Sequence, residues 1–258
     1  MTLSPTDRLL VALDLPSVAE AETLVALLGE HVTSYKIGYQ LLPVGGYDLA
    51  RRLHARGKRV FLDAKLYDIG ATVERGVRSI AENGAAMLTV HADPDTIKGA
   101  VAGKGDGPAL DILAVTVLTS WNEATLRAHG LGGDVESLVL RRADLAAEQG
   151  ADGVIASAEE ARAIRARFGD RLKIVTPGIR PIGADHDDQK RVTTPAMAIH
   201  AGADALVVGR PIVRADSPVA AAVGIVNEIA AVVREDENKD VVREDENKDV
   251  VREDGNEG

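Results

Sequence analysis

The sequence predicts an α/β protein of the (β/α)8 class, a TIM barrel in which eight parallel strands each precede a helix. Short apolar runs alternate eight times with stretches whose apolar residues recur at helical spacing. Glycine follows several of these stretches, at Gly57, Gly84 and Gly150, as is common at helix ends. Only 3% of the residues are aromatic although 45% are hydrophobic. A core of Ala, Val, Leu and Ile is typical of buried parallel strands.

The first four strand–helix units are predicted, in chain order, from their apolar runs. Strand one is LLVALDL, and Pro16-Ser17 opens the helix that follows it. Strand two is TSYKIG, strand three leads into a dense group of charges, and strand four ends at His91. The strands are predicted at 9–15, 33–38, 59–65 and 86–90, and the helices at 18–28, 47–56, 72–83 and 94–102.

The last four units follow the same alternation. Strand five runs into Thr119-Ser120, and a long polar loop, 177–194, follows strand seven. Gly209-Arg210-Pro211 opens the last helix, because proline suits a first helical turn. The strands are predicted at 111–117, 152–156, 172–176 and 204–208, and the helices at 136–149, 158–168, 195–200 and 209–233.

A doubly wound open sheet is the alternative fold. It has fewer strands as a rule and places a glycine-rich phosphate-binding turn after its first strand. The corresponding turn here is Asp14-Leu15-Pro16-Ser17, which contains no glycine. Eight strand–helix units in roughly 230 residues therefore favour the barrel.

The chain divides into a predicted barrel domain, 1–233, and a tail, 234–258. The tail repeats VVREDENKD at 232–240 and 241–249 and begins a third copy at 250. A nine-residue repeat puts successive Val pairs on opposite faces of a helix, so no apolar stripe forms. The tail carries −6 of the net charge of −10. It is predicted to be disordered or a frayed helix, and a regulatory or partner-binding role is the alternative.

Several classes of function are disfavoured by composition. The chain has no cysteine, so disulfides, thiolate zinc sites and a thiol nucleophile are excluded. We expect no nucleic-acid partner because there is no basic stripe. We expect no membrane partner because no run of about 18 apolar residues occurs. Residues 1–8 do not have the layout of a signal peptide, and a cytoplasmic location is the default expectation.

The segment DAKLYDIG, residues 63–70, is the densest group of charges at a strand end. It follows the apolar run 60–62, and strand periodicity places Asp63 and Lys65 on one face. Asp68 lies three residues beyond Lys65. Such a group is costly to bury unless its members pair or do chemistry. These residues alone leave two interpretations open. The group is either a structural Asp–Lys pair that caps the strand or a catalytic group.

The barrel prediction brings further polar residues to the same place. The C-terminal ends of the strands form a common mouth, where the active sites of such barrels lie. The residues expected there are Asp14, Lys36, Asp63, Lys65, Asp68, His91, Thr119, Arg180 and Arg210.

The end of predicted strand eight has the features of a phosphate site. Gly209 lets a phosphate approach the backbone, and the first amides of the helix favour an anion. Arg180 would add a bidentate clamp, and Gln189 lies in the long loop, which would close as a lid. The alternative for Gly209-Arg210 is a helix start with a surface arginine.

No metal site is predicted. His186 lies among Asp185, Asp187 and Asp188, but a solvated charge run explains this group better than a metal site. His91 fits a ligand, a donor or a structural hydrogen-bonded role equally. No Ser-His-Asp arrangement, dinucleotide fingerprint or P-loop is present.

The charge array predicts a type of chemistry. A lysine held between carboxylates is favoured in its protonated form and suits a proton donor better than a Schiff-base amine. A carboxylate beside an anionic substrate group destabilises that group, whereas lysines stabilise a developing carbanion. Loss of a carboxyl group followed by protonation at the same carbon is the reaction best served.

Six segments carry a family resemblance that spans residues 9–233. They are LLVALDL, YKIG, FLDAKLYDIG, AVTVLTS, TPGIR and GADALVVGRPI. With these segments the sequence resembles the orotidine 5′-phosphate decarboxylase family. The resemblance implies a homodimeric (β/α)8 enzyme that converts orotidine 5′-monophosphate to UMP and CO2, the last step of de novo pyrimidine nucleotide synthesis, without metal or organic cofactor.

The resemblance also implies roles for individual residues. Lys65 would protonate C6 of the pyrimidine, Asp63 would lie beside the substrate carboxylate, and Lys36 and Asp68 would complete the catalytic group. Asp68 and Thr72 would reach the site of the partner subunit. The residues implied to bind substrate are Asp14, Lys36, Asp63, Ile69, Thr72, Thr119, Ser120, Pro177, Arg180, Gln189, Gly209 and Arg210.

Two alternatives remain beside this reading. Related Mg2+-dependent sugar-phosphate enzymes, such as 3-keto-L-gulonate 6-phosphate decarboxylase and hexulose-phosphate synthase, share the Asp-x-Lys-x-x-Asp segment but carry Glu where Lys36 stands here. The other alternative is a phosphate-binding barrel without catalysis. The charge array argues against it, because a protein that only binds phosphate does not need a lysine between carboxylates.

Overall fold

The computed structural model describes residues 3–105, 110–181 and 193–235, and it confirms the predicted barrel. Eight parallel strands close in sequence order, with β8 paired to β1. The strands are β1 Leu9–Ala12, β2 Ser34–Ile37, β3 Arg59–Leu66, β4 Met87–His91, β5 Asp111–Val115, β6 Gly153–Ile155, β7 Lys173–Pro177 and β8 Ala205–Val208.

Helices alternate with the strands and cover the outside of the barrel. They are α1 Val18–Leu28, α2 Gly46–Ala55, α3 Gly70–Glu82, α4 Pro94–Lys104, α5 Glu123–Ala128, α6 Val135–Glu148, α7 Ala158–Phe168, α8 Pro195–His200, α9 Arg210–Val213 and α10 218–235. Short 3-10 turns lie at Gly29–His31, Leu42–Val44 and Gly169–Arg171. The predicted bounds of α1, α7 and α8 agree with the structure, because capping residues mark these helix ends locally.

The helices of the structure differ from the predicted ones at two places. The single last helix, 209–233, is two helices, α9 and α10, separated at 214–217. Pro218 explains the break, because proline disfavours helical backbone in the preceding residue and Ser217 caps the new helix. The short helix α5 was not predicted; Asn122 caps it by accepting a hydrogen bond from the amide of Thr125.

The core has two layers, and the inner one supports the site. Inside the barrel, buried side chains from the strands fill the lumen; they are Leu10, Ala12, Phe61, Met87, Leu113, Val175, Ala205 and Val207. A larger layer lies between strands and helices. Because the lumen is filled from below, the polar residues at the strand ends lie above an apolar floor.

The helices α3 and α4 pack closely next to the site. A Cβ on Gly99 would lie 2.3 Å from the carbonyl oxygen of Gly70, so only glycine permits this approach. Thr96 donates to the carbonyl oxygen of Asp68 at 3.3 Å. These contacts fix the segment that joins β3 to α3.

The described residues contain no helix that is both long and apolar enough to cross a membrane. The division into a barrel domain, 1–233, and a tail, 234–258, stays a prediction, since residues 236–258 lie outside the described part.

Candidate active site

A cavity of about 280 Å3 opens at the C-terminal ends of the strands. Strands β1, β2, β3, β7 and β8 or the segments that follow them bring charged residues to its wall. Nine predicted site residues line it: Asp14, Lys36, Asp63, Lys65, Thr119, Pro177, Arg180, Gly209 and Arg210.

Four of these residues form a chain of alternating charges. Asp14 accepts from the ammonium group of Lys36 at 3.0 Å, and Lys36 also lies 3.4 Å from Asp63 Oδ2. The other oxygen, Asp63 Oδ1, accepts from the ammonium of Lys65 at 2.6 Å. The order Asp14–Lys36–Asp63–Lys65 means that Asp63 has a cation on each oxygen.

Burial strengthens the inner part of this array. The side chains of Lys36 and Asp63 are 9% and 15% exposed, whereas that of Asp14 is 51% exposed. Burial by itself would raise the pKa of Asp63, but the charges of Lys36 and Lys65 and hydrogen bonds from Lys65 and Thr89 outweigh it and lower that pKa below its ordinary value. Asp63 is therefore ionised at neutral pH.

Lys65 has an unusual backbone that aims its side chain into the cavity. Its φ is +44°, a positive value that no other described non-glycine residue has. The pairing of β3 with β4 shifts register between Leu62 and Leu66, as in a β-bulge. The amide of Lys65 donates to Thr89 Oγ1 at 2.9 Å. Strained backbone of this kind occurs at functional sites.

Thr89 is a site residue that sequence reasoning missed. It is fully buried on β4, and its hydroxyl donates to Asp63 Oδ1 at 3.0 Å. The available signal was a single polar residue in the apolar run MLTV, on the same strand face as Met87 of the inner core.

Gly38 is a second residue that sequence reasoning missed. It is buried, and a Cβ built on it would lie 2.9 Å from Lys36 Nζ and 3.6 Å from Asp14 Oδ1. The space next to the Lys36 ammonium therefore exists only because residue 38 has no side chain.

The opposite wall holds the predicted phosphate residues. Gly209 follows β8, and a Cβ there would lie 3.4 Å from Ala12 Cβ and 3.6 Å from Asp14 Oδ2. Arg180 is buried and donates from its guanidinium to its neighbour's carbonyl, Ile179 O, at 2.9 Å. Gln189 lies outside the described residues. So does most of the loop 177–194.

The two ends of that loop lie side by side. Ile179 and Thr193 form a β-bridge, and the amide of Arg180 donates to the carbonyl oxygen of Thr193 at 2.9 Å. The loop thus leaves from and returns to one place at the edge of the cavity.

Four predicted site residues lie outside the cavity. Asp68, Ile69 and Thr72 lie on an exposed surface beside the mouth, where Asp68 Oδ1 accepts from the amide of Ile69 at 2.6 Å. Ile69 is 76% exposed. Ser120 lines a neighbouring cavity of about 210 Å3, which Thr119 also lines.

His91 lies at the end of β4 and does not line the cavity wall described above. Its ring packs edge-on against Tyr67, with centroids 5.6 Å apart. Burial and the nearby charges of Arg142 and Lys65 lower the pKa of His91. Among residues 3–105, 110–181 and 193–235, no group of three or more His, Asp or Glu side chains has the arrangement of a metal site. His186 lies outside these ranges.

The fold and the charged cavity together define a barrel enzyme with its active site at the C-terminal ends of the strands. The chain belongs to the orotidine 5′-phosphate decarboxylase / HUMPS family, whose sequence model matches residues 7–225.

Comparison with individual proteins supports the same family membership. The chain is 57% identical over 223 residues to orotidine 5′-phosphate decarboxylase of Rhodopseudomonas palustris strain BisA53, which covers 86% of this chain and 94% of that protein. It is 57% identical over 234 residues to the enzyme of that name from Afipia carboxidovorans, covering 89% and 99%.

Solved structures of the same name share the fold. Orotidine 5′-phosphate decarboxylase from Lactobacillus acidophilus is 36% identical with a TM-score of 0.76, and the match covers 86% of this chain and 98% of that one. The protein from Pyrococcus horikoshii OT3 is 28% identical with a TM-score of 0.69, covering 86% and 99%.

Proposed function

We propose that this protein decarboxylates orotidine 5′-monophosphate to UMP and CO2. The observation that carries the proposal is the buried Asp63 carboxylate with Lys36 and Lys65 on its two oxygens, above an apolar floor. The similar proteins from R. palustris and A. carboxidovorans are named for this activity. The reaction is the last step of de novo pyrimidine nucleotide synthesis, a cytoplasmic process.

The cavity has two walls that suit the two ends of this substrate. The phosphate binds at Gly209, Arg210 and Arg180, with Gln189 from the loop, since guanidinium groups and backbone amides bind phosphate oxygens well. Asp14 and Lys36 contact the ribose. Thr119 and Pro177 line the pyrimidine end, and Ser120 approaches it from the neighbouring cavity that Thr119 and Pro177 also line.

The carboxyl group of the substrate then lies beside Asp63. Two carboxylates in a site shielded from water repel each other, which destabilises the bound substrate. The bond between C6 and the carboxyl carbon breaks, CO2 leaves, and the electron pair stays on C6. Lys36 and Lys65 stabilise the negative charge that develops there.

Lys65 completes the reaction by donating its proton to C6. Its ammonium group lies 2.6 Å from Asp63 Oδ1, so the acid is close to the place that the departing carboxyl group vacates. Lys65 regains a proton from solvent after UMP leaves. No metal or organic cofactor takes part in this scheme.

The active form is proposed to be a homodimer in which Asp68, Ile69 and Thr72 complete the partner's site. Support comes from their position on the exposed surface beside the mouth rather than in the cavity of their own chain. Tyr67 and Tyr39 extend this surface and are 70% and 63% exposed. Large exposed apolar groups of this kind mark interaction surfaces.

The direct test follows the ultraviolet absorbance of orotidine 5′-monophosphate when purified protein is added in excess EDTA. Decay at an enzymatic rate supports the decarboxylase and the absence of a metal requirement together. No decay, with or without added Mg2+, contradicts the proposal. Sugar-phosphate substrates with Mg2+ are then assayed, since the family includes more than one type of enzyme.

A further inference from the structure

Thr89 joins two catalytic candidates through one hydroxyl group. Its Oγ1 accepts from the backbone amide of Lys65 at 2.9 Å and donates to Asp63 Oδ1 at 3.0 Å. Thr89 is fully buried and comes from the neighbouring strand, β4. A hydroxyl has a single proton, so acceptance from Lys65 leaves that proton for Asp63.

The backbone at this point requires such a partner. Leu62 pairs with Leu88 and Leu66 pairs with Val90, so Thr89 alone lies opposite the three residues 63–65. The side chain of Thr89 supplies the acceptor for the Lys65 amide within this interrupted ladder. It thereby supports the backbone conformation, with φ at +44°, from which the lysine side chain enters the cavity.

The same contact fixes the carboxylate. Thr89 and the Lys65 ammonium both bind Oδ1, while Lys36 lies nearest to Oδ2. With Oδ1 held in this way, rotation of the carboxylate would break two hydrogen bonds. The orientation in which Oδ2 faces Lys36 is therefore preferred.

We infer that Thr89 is a positioning residue for the decarboxylation, holding the Lys65 backbone and the Asp63 carboxylate in one rigid unit. The inference rests on the proposed function. Thr89 does not line the cavity wall and acts through the other two residues. Its loss should therefore reduce kcat and leave substrate affinity nearly unchanged, because small errors in the placement of reacting groups cost rate rather than binding.

The test compares Thr89→Val, which has nearly the same shape without the hydroxyl, with Thr89→Ser, which keeps it. For Thr89→Val we expect kcat to fall about 10- to 100-fold with KM within about 3-fold, from the usual effect of a lost hydrogen bond to a charged group. Thr89→Ser should restore most of kcat. The acid limb of the pH–rate profile should move to higher pH in Thr89→Val, because one bond that lowers the pKa of Asp63 is gone.

Thr176→Val is the matched control. Thr176 is also a fully buried strand threonine, on β7, but its hydroxyl has no hydrogen-bond partner among the described residues. This variant should keep wild-type kcat and KM. Thermal unfolding checks the fold of each variant, and Thr89→Ala replaces Thr89→Val if the latter does not fold.

The outcomes separate this inference from the proposed function. An active wild type with Thr89→Val at wild-type kcat overturns the role of Thr89 alone. Equal loss in Thr89→Ser and Thr89→Val also overturns it, since the hydroxyl is then not the relevant group. A wild type without decarboxylase activity overturns the proposed function and, with it, the role of Thr89 in that reaction.

Discussion

Lys65 Nζ and Asp63 Oδ1 lie 2.6 Å apart, although the two residues belong to the same strand and only Ala64 separates them. The β-bulge and the positive φ of Lys65 bring this about within one element. Domain or loop motion therefore does not separate the proposed acid from its carboxylate. Preorganisation of this kind is the main source of electrostatic catalysis.

Gly38→Ala is expected to impair catalysis without unfolding the protein. A Cβ would lie 2.9 Å from Lys36 Nζ, which is the flexible end of a side chain and can move away. The ammonium would then leave Asp14 and Asp63, and kcat/KM should fall about 10- to 100-fold, as for a lost charge-assisted hydrogen bond. Steady-state kinetics and thermal unfolding measure the two effects.

Gly76→Ala is the control for that variant. Gly76 lies within α3, where a Cβ would meet nothing within 4 Å. Alanine should leave activity unchanged and raise stability by about 0.5–1 kcal/mol, since glycine is a poor residue in helices. Wild-type activity in Gly38→Ala would contradict the proposed role of the Lys36 ammonium.

Arg210→Ala is expected to weaken substrate binding through the phosphate. Arg210 lines the cavity at the start of α9, next to Gly209. Loss of one charge-assisted hydrogen bond should raise KM about 10- to 100-fold. Arg214→Ala, at an exposed position just after α9, should leave KM unchanged. Equal KM values for both variants would place the phosphate elsewhere.

Mixing Lys65→Ala with Asp68→Ala tests the proposed homodimer with shared sites. In such a dimer, the two variants, combined in equal amounts and allowed to exchange subunits, would form mixed dimers in which one of the two sites has neither substitution. Because half of the dimers are mixed, about a quarter of wild-type activity should return in a twofold-symmetric dimer. No recovery, with exchange confirmed, would mean that each site is built from one chain.

Asp63 should also make stability depend on pH. The pKa of Asp63 is lower in the folded protein than its ordinary value of 3.8. The contribution of the Asp63 carboxylate to the free energy of unfolding is therefore complete above pH 3.8 and is lost as the pH falls through the lower, folded pKa. The difference in unfolding free energy between wild type and Asp63→Asn should therefore shrink when urea unfolding is moved from pH 7 to pH 3.

Asp170→Asn is the control for the pH experiment. Asp170 pairs with Arg165 at 3.1 Å, but its side chain is fully exposed, at 103%. Exposed pairs contribute little to stability. This variant should differ little from wild type at either pH. An equally large, pH-independent gap for Asp63→Asn would show that its ionic contacts do not stabilise the fold.

Much of this site could be predicted because its residues lie at the ends of strands that are recognisable in the sequence. The period of two along a strand predicted that Asp63 and Lys65 share one face, and both line the cavity, although the β-bulge and the positive φ of Lys65 set their contact. Because the C-terminal ends of barrel strands meet at one mouth, Asp14, Lys36 and Arg210 were predicted to lie near Asp63 and Lys65.

The site residues that were not predicted depend on contacts that the local sequence does not reveal. Thr89 lies 26 residues from Asp63, and its role depends on a register shift that no local pattern encodes. Gly38 matters because of the space that its neighbours need. The break before Pro218 did have a local signal, but the apolar residues on either side of it continued at helical spacing.

Lys65 is the proposed donor of the proton that replaces the carboxyl group, and the turnover of the Lys65→Ala variant is the decisive measurement of this role. Lys173→Ala is the matched control, because Lys173 also lies 2.6 Å from an aspartate, Asp111, but at the opposite end of the barrel. Turnover of orotidine 5′-monophosphate, followed by ultraviolet absorbance, should fall by at least about 10²- to 10⁴-fold in Lys65→Ala and stay at the wild-type rate in Lys173→Ala. Both variants should keep a cooperative thermal transition. Substantial turnover in a folded Lys65→Ala protein would rule out Lys65 as the proton donor.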